Sequence, residues 1–197
     1  MIKTKILLLK VAFIFTILAS HATAQEIRND PLIYQPNPDS PIQSRNPALT
    51  DEGMLFDFLI GDWDAVITWE PDKGPKDIYR AKWHNHWIID GHAVMQEWRG
   101  PSLTGAEIRF YDTKTNSWKG QNIYVDGAWR ETKAKSDGDN LVVTIFSEDE
   151  QNRKFLNRET YFNITENSFE MKSDLSFDEG KTWKKGNYNM HVTRSVE

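Results

Sequence analysis

Three histidines lie close together in the chain, and histidine is the side chain best suited to proton transfer near neutral pH. His84 and His86 are two residues apart in a predicted strand, so they point to the same side, and His92 begins the next strand. His86 or His92 is therefore a candidate general base. A metal site is the alternative interpretation, with His92 or Glu97 as a third ligand. We expect no metal, because Lys82 on the same face would repel a cation.

Two arginines are candidates for holding an anionic substrate. Arg109 shares a face of its predicted strand with Glu107, and Arg158 is adjacent to Glu159 in another. Because charged side chains dominate strand exteriors, both are predicted to form surface ion pairs. An arginine turned inward would instead bind a carboxylate or a sulfate through both of its terminal nitrogens.

Aromatic side chains could stack on a ring-shaped ligand or simply fill a core. The chain has eight tryptophans, and 12% of its residues are aromatic, which calls for either a large core or a ring-lined pocket. Trp87 and Trp98 are the candidates for stacking on a substrate. Tyr124, Tyr161 and Tyr188 are most simply core rings, and Tyr124 is the candidate for exchanging a proton.

The orientation of the second predicted strand decides which of these side chains reach an interior. One face is mainly aromatic and the other basic: Tyr79, Ala81, Trp83, Asn85 and Trp87 against Arg80, Lys82, His84 and His86. Burial preferences predict that the aromatic face points inward and the basic row is solvated. The reverse orientation would line a cavity with cations and imidazoles.

The pattern of the remaining chain predicts short strands separated by turns such as Asp90-Gly91 and Asp126-Gly127. Strands are predicted over Gly61–Trp69, Asp77–Ile89, His92–Arg99, Gly105–Tyr111, Ser117–Val125, Ala128–Lys135, Leu141–Ser147, Phe155–Ile164, Ser168–Phe177 and Thr182–Arg194. A short helix with Thr50 as its N-cap is predicted before them. The predicted fold is all-β, an antiparallel meander barrel of about ten strands or a sandwich. We favour the barrel because closure leaves no exposed strand edge.

The N-terminus has the features of a secretory signal peptide. Three lysines accompany a short apolar stretch, and Ala22-Thr23-Ala24 is a typical cleavage site, so the mature chain would begin at Gln25. We therefore divide the chain into a signal peptide over 1–24, a proline-rich arm over 25–52 and a barrel domain over 53–197. The apolar stretch is too short for a membrane span, so we predict a periplasmic or secreted protein without a membrane anchor.

Composition narrows the partners and cofactors. The chain has no cysteine, and its net charge of −5 becomes more negative when the three lysines of the signal are removed. An acidic surface disfavours nucleic acid and anionic membranes. No nucleotide-binding or serine-nucleophile motif is present, so no cofactor is predicted. The expected partner is a small molecule or an oligosaccharide, and the oligomeric state is left open.

Several segments resemble known families. Gly61-Asp62-Trp63 resembles the Gly-x-Trp motif of lipocalins and related calycin barrels, and Arg194 corresponds to the arginine that lies over that tryptophan. The stretch from Phe56 to Arg194 also resembles a bacterial family of unknown function with a predicted calycin-like fold. The matching segments are Phe58–Trp63, Asp90–Ala93, Arg109–Asp112 with Trp118, Ser176–Trp183 and Asn187–Met190. This resemblance implies a calycin-like barrel and carries no established catalytic residues. The chain is also similar to small exported proteins of bacterial polysaccharide breakdown, among them a dehydratase acting on ulvan oligosaccharides.

One further motif matches the Asp-box of sialidase propellers. It consists of Ser176, Asp178, Gly180, Thr182 and Trp183. A propeller would repeat the motif in each blade, and this chain has it once. We therefore interpret it as a hairpin turn in which aspartate and serine side chains bond to turn amides.

Three functions are compatible with these residues. The first is an exported lyase that eliminates water from a terminal uronate of acidic, ulvan-type oligosaccharides. His86 or His92 would remove the proton α to the carboxylate, and Tyr124 would protonate the departing hydroxyl. Arg109 or Arg158 would hold the carboxylate and stabilise the enolate. The second is a non-catalytic calycin-like barrel for a small apolar or aromatic ligand, and the third is a solid-cored interaction module.

Overall fold

The computed structural model describes residues 44–70, 77–101 and 103–196. Two 3₁₀ helices, Asp51–Met54 and Asp57–Leu59, precede the strands. The strands are β1 (Gly61–Trp69), β2 (Asp77–Ile88), β3 (Ala93–Arg99), β4 (Thr104–Asp112), β5 (Ser117–Tyr124), β6 (Trp129–Asp137), β7 (Asn140–Glu148), β8 (Lys154–Phe162), β9 (Ser168–Ser176) and β10 (Lys184–Arg194). The predicted signal peptide and the arm up to residue 43 lie outside the described residues.

The strands form a closed barrel with the simplest possible order. Each strand pairs antiparallel with the next, and β1 also pairs with β10, in a register that runs from Trp63 opposite Arg194 to Trp69 opposite Tyr188. Because each of these ten strands has two neighbours, none of them is left with an unpaired edge. The prediction of an all-β meander barrel of about ten strands is confirmed, and the sandwich alternative is excluded.

Side-chain alternation fixes what faces the interior. Trp63 of β1 lies directly opposite Trp83 of β2, and both are buried, with Trp87 buried on the same face. His84 and His86 occupy the alternate positions and point outward. The prediction that the aromatic face of this strand points inward is confirmed.

The 3₁₀ helices close one end of the barrel. Phe56 and Leu59 are fully buried, and the Phe56 ring packs edge-on against Trp118 at 4.8 Å between centroids. The Trp118 indole N–H donates to the Glu52 carbonyl at 2.7 Å. The predicted short helix is thus present as two 3₁₀ turns. Thr50 precedes the first turn, but its hydroxyl bonds to the Tyr111 hydroxyl at 2.9 Å and makes no capping hydrogen bond.

Trp63 and Arg194 join the two ends of the barrel sheet at this closed end. The Trp63 indole N–H donates to the Leu59 carbonyl at 2.7 Å, and the Arg194 guanidinium lies 4.0 Å above the indole ring. Arg194 also donates to the carbonyls of Phe58 and Ile60, which belong to the segment entering β1. The stacking of Arg194 over Trp63 that the lipocalin resemblance implies is therefore confirmed.

The Asp-box forms the β9–β10 turn. Asp178 accepts hydrogen bonds from the Thr182 amide at 2.8 Å and the Thr182 hydroxyl at 2.6 Å, and Ser176 accepts one from the Gly180 amide at 2.8 Å. The Trp183 indole N–H donates back to the Gly180 carbonyl at 3.1 Å. These bonds confirm the interpretation of the motif as a hairpin turn.

Residues 44–50, at the end of the predicted arm, are attached to the β2–β3 turn. The backbone amide of Asn46 donates to the Gly91 carbonyl at 3.1 Å, and the Asn46 side chain donates to the Asp90 carbonyl at 3.1 Å. Gly91 has a positive φ of 78°, and a β-carbon there would overlap the backbone of Ser44 and Asn46. Gly91 is therefore required both by its own conformation and by the segment packed on it.

A pair of glycine variants tests this contact. Gly127, in the β5–β6 turn, has nearly the same φ of 81°, but a β-carbon added there would meet no described atom within 4 Å. Gly127→Ala should cost about 1–2 kcal/mol, the usual penalty for a left-handed alanine. Gly91→Ala should cost a further 1–3 kcal/mol, roughly the cost of overpacking. Urea unfolding followed by circular dichroism measures the free energy of unfolding of both variants. Equal losses in the two variants would show that residues 44–50 move aside without cost.

Candidate functional site

The half of the barrel away from the 3₁₀ helices contains a cavity of about 390 Å³. It lies between the strand ends opposite to Trp63 and Trp118, and inward-facing side chains form its walls. Aromatic rings line much of it: Trp69, Tyr79, Trp83, Trp98, Tyr124, Phe155, Tyr161 and Tyr188. A cavity of this volume with ring-lined walls is typical of a small-molecule site.

Two glutamates, Glu107 and Glu159, line the inner part of this cavity, and we call them the carboxylate floor. Glu107 lies between Gln96 of β3 and Asn122 of β5. Glu159 lies between Val143 of β7 and Ser173 of β9. All of these are inward positions of their strands, so the alternation of β4 and β8 directs both carboxylates into the barrel.

Glu107 forms an ion pair with Arg109, two residues along the same face of β4. The Arg109 side chain is 1% exposed and that of Glu107 is 14% exposed, so the carboxylate reaches the cavity and the guanidinium lies beneath it. Burial raises the pKa of Glu107 to about 7, although Arg109 lowers it. The carboxyl group can therefore gain or lose a proton near neutral pH. The predicted surface location of this pair is wrong.

Glu159 is held by tyrosines rather than by a basic side chain. The hydroxyls of Tyr188 and Tyr161 donate to its two oxygens, the second at 3.3 Å. Among the described residues, no lysine, arginine or histidine forms an ion pair with it. Burial raises the pKa of Glu159, with the Tyr188 hydrogen bond opposing the shift.

Buried amide groups complete the inner wall. Gln96 is 1% exposed, and neither its nitrogen nor its oxygen has a hydrogen-bond partner among the described residues. Asn122 donates to the Tyr124 hydroxyl at 3.2 Å, while its oxygen is unpaired within the same part of the chain. Buried polar atoms normally have partners, so these groups are suited to contacting a ligand.

Tyr124 and Arg130 lie further toward the rim. The Arg130 guanidinium is 5.0 Å from the centroid of the Tyr124 ring, and both side chains line the cavity. Burial raises the pKa of Tyr124, and Glu107 and Glu159 raise it further. The hydroxyl therefore stays protonated and is available as a hydrogen-bond donor.

The structure brings three of the predicted site residues to this region. Tyr124 and Trp98 line the cavity, and Arg109 lies directly beneath it. The Trp98 ring packs edge-on against Trp83 at 5.6 Å, and its indole nitrogen has no partner among the described residues. These three residues are therefore the part of the predicted site that the fold assembles.

The other predicted site residues lie elsewhere. His86 is on the barrel exterior beside His84, and burial lowers its pKa. His92, in the β2–β3 turn, bonds to the Asn46 side chain at 3.1 Å. Trp87 belongs to the core of the closed end, where its ring lies 6.2 Å from Trp118.

Arg158 also points outward. Its guanidinium bonds to Asp174 at 2.8 Å and lies 3.9 Å above the Trp183 ring of the Asp-box turn. It therefore supports the β9–β10 turn, and its ion-pair partner is Asp174 rather than the adjacent Glu159.

Sequence reasoning missed the carboxylate floor and Gln96, because the pattern presents Glu107 and Glu159 only as partners of surface arginines. A signal is nevertheless present, since Glu159 precedes Tyr161 by two residues and therefore shares a face with a predicted core ring. In the described ranges, no group of three or more histidine, aspartate or glutamate side chains is arranged to hold a metal ion. Those ranges also contain no helix long and apolar enough to cross a membrane.

Comparison with known proteins identifies no family for this chain. No protein-family model matches the chain, and no curated protein sequence is significantly similar to it. Among solved structures, the chain is similar to an S-type phycobiliprotein lyase from Guillardia theta, with 13% sequence identity and a TM-score of 0.45. The match covers 74% of this chain and 96% of the lyase. A similarity of this size carries no argument about function, and the barrel assignment rests on the observed strand order.

Proposed function

We propose that this protein binds a small, ring-bearing molecule inside the barrel, with the polar end of the ligand against the carboxylate floor. The observation that carries this proposal is the cavity of about 390 Å³ in which the buried Gln96 amide is left without a partner among the described residues. A solid-cored module would fill this space with side chains. Unpaired buried amides cost free energy, which a hydrogen-bonding ligand would recover.

The chemistry of the walls indicates the shape of the ligand. Trp83 and Trp98 meet edge-on at 5.6 Å, and Trp69 meets Tyr188 in the same way at 4.9 Å. These fixed rings offer flat faces and edges to a planar guest. We propose further that the protein is a calycin-like barrel of the bacterial family that its motifs resemble. Its predicted signal peptide would deliver it to the periplasm or the exterior, where it would meet such a molecule.

A second candidate function is acid–base catalysis, in the form of water elimination from a terminal uronate of ulvan-type oligosaccharides. The observation that favours it is the position of Glu107, whose pKa burial raises to about 7, in the same cavity as Tyr124. Glu107 would remove the proton α to the uronate carboxylate, and Tyr124 would protonate the hydroxyl that leaves as water. Arg130 at the rim would hold the carboxylate, because Arg109 lies beneath the cavity and Arg158 lies outside it.

Binding in the cavity can be tested with a blocking variant. Ser147 of β7 lines the cavity, so Ser147→Trp should fill it, whereas Thr144→Trp places the same ring on the outer face of the same strand. We expect ligands from a panel of aromatic, apolar and uronate-ended compounds to quench tryptophan fluorescence in the wild type. Affinity should fall at least tenfold in Ser147→Trp and should be unchanged in Thr144→Trp.

Two outcomes of this experiment would contradict the binding proposal. One is the absence of any binding across the panel, together with no retained ligand in native mass spectrometry. The other is unchanged affinity in a folded Ser147→Trp variant. Growth of the absorbance of a 4,5-unsaturated uronate during incubation would instead support the elimination reaction.

A further inference from the structure

We propose that the ligand of this cavity is an organic cation, a ring-bearing amine whose ammonium group lies against Glu159. This inference rests on the proposed binding function and names the chemical class of its ligand. It follows from the charges of the carboxylate floor, the unpaired Gln96 amide and the aromatic walls.

The charges of the cavity floor do not balance. Glu107 is neutralised by Arg109, which is 1% exposed and turned away from the cavity. Glu159, by contrast, accepts hydrogen bonds from the hydroxyl groups of Tyr161 and Tyr188 and forms no ion pair among the described residues. Burying a carboxylate without a cation costs free energy, so the carboxylate floor retains a proton when the barrel is empty. A ligand ammonium group supplies the missing positive charge and takes the place of this proton.

Within the described ranges, the charge of Arg109 attracts the Glu159 carboxylate and lowers its pKa, but Arg109 is already paired with Glu107. Val143 and Ser173 are its neighbours on the adjacent strands, and neither carries a charge. The titratable and charged groups that line the cavity with Glu159 are Tyr79 from β2, Glu107 from β4, Tyr124 from β5, Asp126 from the β5–β6 turn, Arg130 from β6, Tyr161 from β8 and Tyr188 from β10. Arg130 stacks on Tyr124 toward the rim and forms no ion pair with Glu159 in the described part of the chain.

Other features of the cavity suit an ammonium group. Gln96, on the inner wall, has a carbonyl oxygen that is unpaired among the described residues and can accept a second N–H from the ligand. The faces of Trp83 and Trp98 attract cations through their π-systems, an effect that strengthens when water is excluded. An anionic ligand, in contrast, would be repelled by Glu159 on the inner wall and would pair with Arg130 toward the rim.

Three probes of matched shape separate these possibilities. Tryptamine, 3-propylindole and indole-3-propionic acid carry a positive, neutral and negative end on the same ring. Calorimetry with the wild type should show tryptamine binding at least tenfold more tightly than 3-propylindole, with indole-3-propionate weakest. Glu159→Gln should lower the ratio of the tryptamine affinity to the 3-propylindole affinity at least tenfold, so that the two compounds bind about equally.

A second measurement needs no variant. Because tryptamine displaces a proton from a carboxyl group whose pKa burial has raised, its affinity should increase as the pH rises from 5 and level off above the raised pKa. Titration in two buffers of different ionisation enthalpy should show proton release, which 3-propylindole should not cause.

The possible results of these titrations separate the inference from the binding proposal. Equal binding of tryptamine and 3-propylindole would overturn the cation inference and leave the binding proposal intact. Tightest binding of the anion would overturn the inference and favour a uronate as the ligand. If no probe binds, the inference also fails, and the panel with Ser147→Trp decides the binding proposal separately.

Discussion

Replacing Arg109 with methionine is expected to lower the free energy of unfolding by about 3–5 kcal/mol, the usual cost of breaking a buried ion pair. The guanidinium is the basic partner of Glu107, and the pair lies inside the barrel. Removing it leaves two buried glutamates, Glu107 and Glu159, without a paired cation in the described part of the chain. Methionine fills much of the same space against Phe56, so the loss should reflect charge rather than volume.

A double variant separates the effect of losing the ion pair from the effect of leaving Glu107 charged and unpaired. Arg109→Met with Glu107→Gln removes both charges, so it should be more stable than Arg109→Met alone. The exterior pair Lys133–Glu131, at 3.3 Å and with both side chains more than half exposed, is the matched control. Lys133→Met should cost no more than about 1 kcal/mol. Denaturant unfolding of the wild type and the three variants measures these differences, and a loss in Arg109→Met as small as that of the control would contradict the buried location of the pair.

Trp63→Ala is expected to lower the free energy of unfolding by about 3–5 kcal/mol, because it removes a large side chain from a packed core. Trp63 is fully buried, donates a hydrogen bond to Leu59 and packs edge-on against Phe169 at 5.0 Å. The variant also deprives Arg194 of the ring on which it lies. The loss therefore combines a cavity, a broken hydrogen bond and a weakened junction between β1 and β10.

Trp129→Ala is the matched control for this variant. Trp129 begins β6 and is 64% exposed, so its removal should change stability by no more than about 0.5 kcal/mol. Chemical denaturation monitored by far-ultraviolet circular dichroism compares the two. A similar change in both variants would mean that Trp63 is not part of the packed core.

The side-chain face of β2 that points into the barrel could be predicted from the sequence, because the two faces of this strand differ strongly in chemistry. Aromatic residues such as Trp83 and basic residues such as Lys82 have opposite burial preferences, and the fold follows them. Regular turns and alternating strands likewise made a meander barrel predictable. The Gly61-Asp62-Trp63 motif located the closing strand pair.

The side-chain face of β4 that points into the barrel could not be predicted in this way. Its apolar residues Ile108 and Phe110 alternate with Glu107 and Arg109, which predicts the charged pair on the outside. The barrel does the reverse, and Ile108 and Phe110 are 37% and 43% exposed. The register against β3 decides the matter, because it places Arg109 opposite the buried Val94. Such pairing is a property of the whole barrel and overrides the local pattern.

The pairing of β1 with β10 also determines when the barrel can close. Every other strand pair joins neighbours in the sequence, but the hydrogen bond from Arg194 to Ile60 spans 134 positions. During synthesis or refolding, β1 therefore keeps an unpaired edge until the last strand arrives, and contacts between distant residues form slowly. An open strand edge can pair with another chain, so the interval before β10 docks is the time at which this protein is most prone to aggregate.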